Sequence, residues 1–349
     1  MRIGAKAENP LERIALRLNL APQPMLETQM AFTLARVVMA GAKLGIFEAL
    51  ESGLSSPTSI AERCGTEPFA TEKLLFALAA AGYADFDGGG YRLTAISRKW
   101  LIKDSPTSLV DKLLFQFDEW DWIARTEEYV SSGKPLELHQ QRLTSEQWEA
   151  YQRGMRSLAG TFVPEAVRRL PIPKGARDLL DIGGSHGYIS VALCRRYPDL
   201  RAVVLDLPEA IEHAAPLLAK EGMGDRVVHR AGNAATEDLG VETFDIVITV
   251  SLVHHLSEAE NRDLAARVAR ALRPGGIYAI MDAFRPKTPK DAGQIGALLE
   301  FYFALTSQSG TWTPEEIASW QREADLEPRR PVRLRTAPSG GIQAAVKPG

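Results

Sequence analysis

Two cysteines in 349 residues exclude a good deal at the outset. Cys64 and Cys194 cannot build a disulfide framework, and with no companions they cannot make a metal site by themselves. That scarcity suits a reducing compartment, so a cytoplasmic location is expected. The chain also lacks any uninterrupted apolar run approaching the roughly 20 residues that span a bilayer. Its opening, "MRIGAKAENPLERIALRLNL", is amphipathic and charged throughout, and no cleavable signal is expected there. Nor is there an excess of one charge. Forty-one basic and 44 acidic residues leave a formal net charge of −3, which offers no field to draw in nucleic acid or an acidic membrane. Internal repeats and low-complexity segments are missing too.

What is present follows two patterns. Residues 1–105 read as helices with a small β element at the end. "MAFTLARVVMAGAKLGIFEAL" (30 to 50) is apolar on nearly every side, as for a helix buried in a core or against a second subunit. Two short helices separated by Gly65 to Pro68 follow, and then "GGGYRLTAIS" supplies turn glycines and a short strand. The order is that of a winged helix. Its second helix, "TEKLLFALAAAG", carries one acid and one base, which favours packing between subunits over DNA binding. Residues 106–168 read as connecting helices rich in aromatic side chains, and "RLPIPKG" (169 to 175) marks a break.

Residues 169–349 form the second pattern. "LLDI", "AVVLDL", "RVVHRAG", "FDIVITV" and "IYAIMD" are short β-branched runs separated by helical stretches. They suit a doubly wound parallel sheet covered on both faces. "VRLRTAPSGGIQAAVK" adds an antiparallel hairpin around Pro-Ser-Gly-Gly. The fold class is therefore α/β, preceded by a mainly helical winged-helix-like domain.

In such a sheet, ligands sit beyond the carboxyl ends of the strands. "LLDIGGSHG" (179 to 187) places glycines between the first strand and its helix, and Asp206 ends the next strand where a carboxylate can accept from a ribose diol. The spacing fits a dinucleotide poorly: counting from Gly183, Ser185 and Tyr188 fill positions where the fingerprint has glycine. Asp181 would repel a diphosphate yet suits an ammonium group. A ligand with ribose and adenine at one end and an amino acid at the other answers both acids. S-adenosylmethionine is such a ligand.

These segments, with "AGAKLGIFEAL", "GGGYRLT", "YQRGM", "LDLPEAI" and "WTPEEI", resemble one family across nearly the whole chain. It is the class I S-adenosylmethionine-dependent O-methyltransferases of the plant caffeic acid type and their bacterial carotenoid and polyketide relatives. The resemblance implies a homodimer formed through the N-terminal domain and a small-molecule acceptor. It implies that Gly183, Gly184 and Gly187 line the methionine end of the cofactor while Asp206 takes the ribose hydroxyls. Asp181, Ser185, Leu207, Asn233 and Ala234 complete the expected cofactor set. His254 aligns with the general base, Asp282 with an acid that orients it, and Met155 with a methionine that packs on the acceptor. Trp120, Phe301 and Trp312 are further expected acceptor contacts. No metal is expected.

Some positions depart from the family pattern. Asn233 stands where an aspartate is usual, Val250 where plant members have a lysine, and Thr311 near a second orienting acid. His186 replaces a common threonine and is expected to pack at the turn, and His255 is expected to be structural. Chemistry narrows the acceptor. A phenol (pKa ~10) and an imidazole (~6.5) differ by about 3.5 units, or roughly 5 kcal/mol, which concerted proton removal can cover. An alkanol near ~15.7 lies about 9 units away. A phenolic or enolic hydroxyl on a flat apolar molecule is therefore expected. The rival readings are N- or C-methylation on the same scaffold, a nicotinamide-dependent oxidoreductase, and a ligand-sensing winged-helix regulator.

Overall fold

A computed structural model describes residues 2–136, 143–337 and 339–349. Pro338, in the expected Pro-Ser-Gly-Gly turn, lies outside the described residues. The chain forms two compact units, Met1–Phe117 and Asp118–Gly349. Among the described residues no helix is long and apolar enough to cross a membrane.

The first unit is built on helix α1 (Ala31–Lys43), α2 (Pro57–Cys64), α3 (Pro68–Ala80) and the antiparallel pair β1 (Ala84–Asp87) and β2 (Gly90–Leu93). Its core gathers Ile46, Phe47, Leu50, Ile60, Leu75 and Leu78, all fully buried. Local signals fix the helix ends. Ser56 Oγ accepts from the Ser59 N–H to start α2, and Gly65 closes it in the left-handed region at φ 64°. The Glu67 carboxylate starts α3 by accepting from the N–H groups of Phe69 and Ala70. Helix α1 buries Met39, Gly41 and Ala42 but leaves Phe32 and Leu34 exposed.

The second unit begins within helix α4 (Val110–Ile123) and continues through the 25-residue helix α5 (Ser145–Arg169). A capping box between Thr144 and Gln147 starts α5. The sheet follows, with strands β3 (Asp178–Ile182), β4 (Arg201–Asp206), β5 (Val227–Ala231), β6 (Phe244–Val250), β7 (Leu272–Ala283), β8 (Glu327–Pro328), β9 (Val332–Arg333) and β10 (Gly340–Val346). The helices between them are α6 (Tyr188–Arg196), α7 (Pro208–Lys220), α8 (Glu258–Ala271), α9 (Pro289–Thr306) and α10 (Pro314–Glu323). Strand order is β5-β4-β3-β6-β7-β10-β8, with β9 also on β10. Strands β3 to β7 pair in parallel, and β10 runs antiparallel to β7.

Alternation along the strands loads both faces. Leu179, Ile246, Ile248 and Ala279 face a core completed by Ala159, Val163 and Ala166 of α5 and by Val191. Leu180, Val247 and Ile280 face the opposite core, completed by Leu264, Val268, Ile317 and Trp320. Each fully buried branched side chain contributes about 1.5–3 kcal/mol, and these two layers hold the sheet rigid beneath its carboxyl edge.

The segment "LRPGG" (272 to 276) follows the helix directly into the strand: α8 ends at Ala271 and β7 begins at Leu272. The extra residues are absorbed as an irregularity, with Phe244 opposite Leu272 and Ile246 opposite Ile277. Gly275 there takes φ 78°, and a Cβ on Gly276 would lie 2.8 Å from the Arg273 carbonyl oxygen.

Candidate active site

The chain order reverses at β3, which has β4 on one side and β6 on the other. The glycine turn lies at its carboxyl end. Gly183, Ser185 and Gly187 all have positive φ, at 68°, 54° and 69°. A Cβ on Gly184 would come within 2.5 Å of Asp181 Cγ and 2.7 Å of Val204 Cγ1, so backbone must pass where no side chain fits. Ser185 adopts the left-handed region without being glycine, and three groups hold it. Its N–H donates to Asp206 Oδ2 at 2.7 Å, its carbonyl lies 2.8 Å from His229 Nε2, and its hydroxyl donates to Gln152 Oε1 on α5.

Above the turn lies a cavity of about 320 Å³. Gly183, Ser185, Asp206, Leu207, Asn233 and Ala234 all line it. Gly184 borders a smaller adjoining cavity of about 110 Å³, together with Met155, His186 and Val250. Asp181 is buried beneath the turn, where Oδ2 accepts from Ser190 Oγ at 2.7 Å and Oδ1 has no partner. Gly187 closes the turn as the residue before α6.

Both acids are perturbed. Burial pushes the Asp206 carboxyl up to about 6, against the opposing pull of the Leu207 and Ser185 N–H groups. Burial likewise pushes Asp181 up to about 7; the Ser190 bond opposes this and the Asp206 charge adds to it. His186 goes the other way: burial, then Arg156, pushes it down to about 3, so it stays neutral while its Nδ1 accepts from the Tyr188 N–H. Asn233 Oδ1 accepts from the Ala235 N–H at 2.9 Å, and a carbonyl oxygen has a second lone pair to offer. The site suits a nucleoside joined to an amino acid. The Asp206 carboxylate lines the cavity, an unpartnered carboxylate oxygen of Asp181 lies below the turn, and the turn leaves no room for a Cβ at Gly184.

A second constellation forms where β6 ends. A short 3-10 turn, Val253–His255, leads into α8, whose start is fixed by the Ser257–Glu260 capping box. The turn is clamped through the Val253 carbonyl, which accepts from Asn261 Nδ2 and from Trp312 Nε1, each at 2.9 Å. His254 is only 2% exposed, and its Nδ1 lies 2.8 and 2.9 Å from the two carboxylate oxygens of Asp282, at the end of β7. Asp282 Oδ1 also accepts from the Ala283 N–H. This pairing commits Nδ1 to the acid and leaves Nε2 as the nitrogen able to take a proton. Phe303 of α9 covers the ring with centroids 4.5 Å apart, and His255 packs at 4.0 Å. His255, with Ser251 and Leu252, lines the larger cavity, whereas the buried His254 is not among its lining residues.

The aromatic residues expected around an acceptor are dispersed. Phe301 packs edge-on against Tyr129, and Phe303 is the residue on His254. Trp312 is 9% exposed, tied to the Val253 carbonyl and packed edge-on against Trp320. Trp120 is half-buried in α4, and Trp122 packs against Leu136 and Leu305. Tyr302 donates to Glu119 Oε1 at 2.7 Å, and burial and that carboxylate keep its phenol well above the usual range. Phe115 belongs to the first unit and is buried there. Thr311, near which the family places its second acid, donates its hydroxyl to the carboxylate of Glu300. Trp148, Tyr151 and Gln152 also line the larger cavity; their i, i+3, i+4 spacing on α5 marks one helix face, a signal open to sequence reading. His255 and Gln308 line it too and have no comparable signal.

Residues 127–324 match the family of O-methyltransferase domains. A 3-hydroxy-5-methyl-1-naphthoate 3-O-methyltransferase from Streptomyces sahachiroi is 26% identical over 336 residues, covering 93% of this chain and 95% of the relative. An L-tyrosine C(3)-methyltransferase from Streptomyces lavendulae is 26% identical over 289 residues, covering 78% and 77%. Among solved structures, human N-acetylserotonin methyltransferase in complex with its methyl donor superposes with a TM-score of 0.82 at 17% identity, covering 99% of this chain and all of that one. The fold and site define a methyltransferase built on a doubly wound sheet. The chain belongs to the O-methyltransferase family and is an S-adenosylmethionine-dependent enzyme.

Proposed function

We propose that the chain methylates a phenolic or enolic hydroxyl of a small, flat, largely apolar molecule, with His254 as general base and Asp282 as the acid that orients it. The observation that carries this reading is the two-pronged contact between His254 Nδ1 and Asp282. An imidazole held this way is fixed in the tautomer that presents a lone pair at Nε2.

S-adenosylmethionine, when bound, supplies a methyl group already activated by its sulfonium. The chain's own work is to hold that donor and to manage one proton. Asp206 accepts from the ribose hydroxyls, the turn from Gly183 to Gly187 supports the amino-acid end, and Asn233 with Ala234 borders the adenine. Asp181 sits beneath the turn as a counter-charge for the ammonium group. As the acceptor oxygen begins to bond, its proton passes to His254 Nε2, and Asp282 stabilises the imidazolium that forms. Because Phe303 covers the ring, the acceptor enters beside that side chain or turns it aside. Met155, Trp120, Phe301 and Trp312 are the remaining acceptor residues in this reading.

The Streptomyces sahachiroi relative acts, by its name, on a hydroxynaphthoate, and a hydroxylated bicyclic aromatic of that kind matches the acceptor proposed. The tyrosine C(3)-methyltransferase relative keeps ring-carbon methylation as a second reading; the position of the new methyl in the product's NMR spectrum separates the two. We further propose a cytoplasmic homodimer formed through the N-terminal helices, which expose Leu11, Ile14, Phe32 and Leu34. Cys64 and Cys194 are unpaired, which suits a reducing compartment. A light-scattering mass of one chain at micromolar concentration would refute the dimer. The base assignment is tested by His254→Ala, which should lower turnover by roughly 10²–10⁴ and leave cofactor affinity unchanged.

A further inference from the structure

Among the described residues, the amide of Gln152 is the one polar group lining the larger cavity that combines deep burial with an unmet need. The residue is 1% exposed. Its Oε1 accepts from the Ser185 hydroxyl, whereas its Nε2 is buried and has no hydrogen-bond partner. A buried N–H with no acceptor is uncommon, because the group has given up water and received nothing in exchange. Ser185 is fixed through its N–H by Asp206 and through its carbonyl by His229, so its hydroxyl engages the amide oxygen from a rigid turn. That contact engages the oxygen end of the amide and leaves its NH₂ group as the end without a partner, on a residue of the cavity wall.

The cavity's charge says what such a donor is for. Among the described residues lining it there is no lysine and no arginine; its formal charges are the acids Asp206 and Glu260. The nearby Arg156 is engaged by Glu221 and stacks on Tyr188. An anionic group held above the glycine turn must therefore rest on neutral donors.

We propose that Gln152 is a cofactor-binding residue whose Nε2 donates to the carboxylate at the amino-acid end of S-adenosylmethionine. The inference rests on the reading of the cavity as the cofactor site. Ser185, in the same account, is a positioning residue that holds the amide of Gln152 through its oxygen.

The test is calorimetric binding of two ligands, S-adenosylhomocysteine and 5′-methylthioadenosine, which lacks the amino-acid end. Gln152→Ala should weaken S-adenosylhomocysteine about 10-fold or more, the size of a hydrogen bond to a charged group, and leave methylthioadenosine within about 2-fold. Gln152→Glu should weaken S-adenosylhomocysteine further still, because carboxylate then faces carboxylate. Equal losses for both ligands would show that Gln152 only supports the turn, and would overturn the proposal. So would a Gln152→Glu variant that binds S-adenosylhomocysteine as well as the wild type, since the amide oxygen would then be meeting the ammonium. Wild-type protein that bound methylthioadenosine and S-adenosylhomocysteine equally would also refute it. Failure of the wild type to bind either would overturn the reading of the cavity itself.

Discussion

Replacing Asp282 by asparagine removes one charge and changes almost nothing in shape. In the native pair the acid receives the Nδ1 hydrogen, with both carboxylate oxygens within 2.9 Å. Asparagine can still accept from the Ala283 N–H through its carbonyl. Its NH₂ group, however, competes to donate to Nδ1, which favours the tautomer with hydrogen on Nε2. That tautomer cannot take the acceptor's proton. The variant also loses the attraction between carboxylate and imidazolium in the transition state. With charge centres roughly 4 Å apart and an effective dielectric of about 20, that attraction is on the order of 4 kcal/mol, or about 10³ in rate. Asp282→Asn should therefore lower kcat by roughly 10²–10⁴ while S-adenosylhomocysteine affinity stays within about 2-fold. Initial rates with labelled methyl donor and a phenol panel measure the first quantity, and calorimetry measures the second. Turnover within threefold of wild type would refute the reasoning, because the acid would then have no part in proton removal. A matched loss of cofactor binding would also count against it, since that would mean collapse of the neighbouring cavity.

Other outcomes follow from the same site. Gly184→Ala should destabilise the fold by about 1–3 kcal/mol in denaturant titration, because its Cβ would meet Asp181 Cγ at 2.5 Å and Val204 Cγ1 at 2.7 Å. Asp181 has a folded pKa raised from 3.8 to about 7, so its contribution to stability is fully present below pH 3.8 and is lost as pH rises through 7. A shift of about 3 units sets an upper bound near 4 kcal/mol. Asp181→Asn should accordingly raise the melting midpoint of the ligand-free protein more at pH 8.5 than at pH 5.5, and an equal rise at both would contradict the burial argument. Asp206, raised to about 6, must be ionised to accept from ribose, so S-adenosylhomocysteine affinity should fall by up to roughly tenfold per pH unit below 6. Affinity that stayed level from pH 7 to pH 5 would argue against that role.

Much of the framework was legible from local chemistry. The β-branched runs beginning at Leu179, Ala202, Phe244 and Ile277 sit in strands with alternate residues on opposite faces. The Ser-x-x-Glu box at Ser257 starts a helix where its hydrogen bonds require one. The glycine turn needed positive φ and clear space, and both are properties of a few consecutive residues. The "LRPGG" segment ends α8, as Pro and Gly signal, and β7 takes up its residues as an irregularity against β6.

What sequence alone determined about this protein, then, is its alternating strands and helices, the glycine turn between β3 and α6, and the candidate acids and histidines around it. Those depend on backbone preference and on hydrogen bonds between near neighbours. Tertiary structure alone decided that Phe303 covers His254, that His255 faces the cavity, and that Gln152 reaches Ser185 across 33 positions. Such contacts depend on how α5 and α9 rotate against the sheet. That rotation is set by packing summed over whole helix faces, and no short segment encodes it.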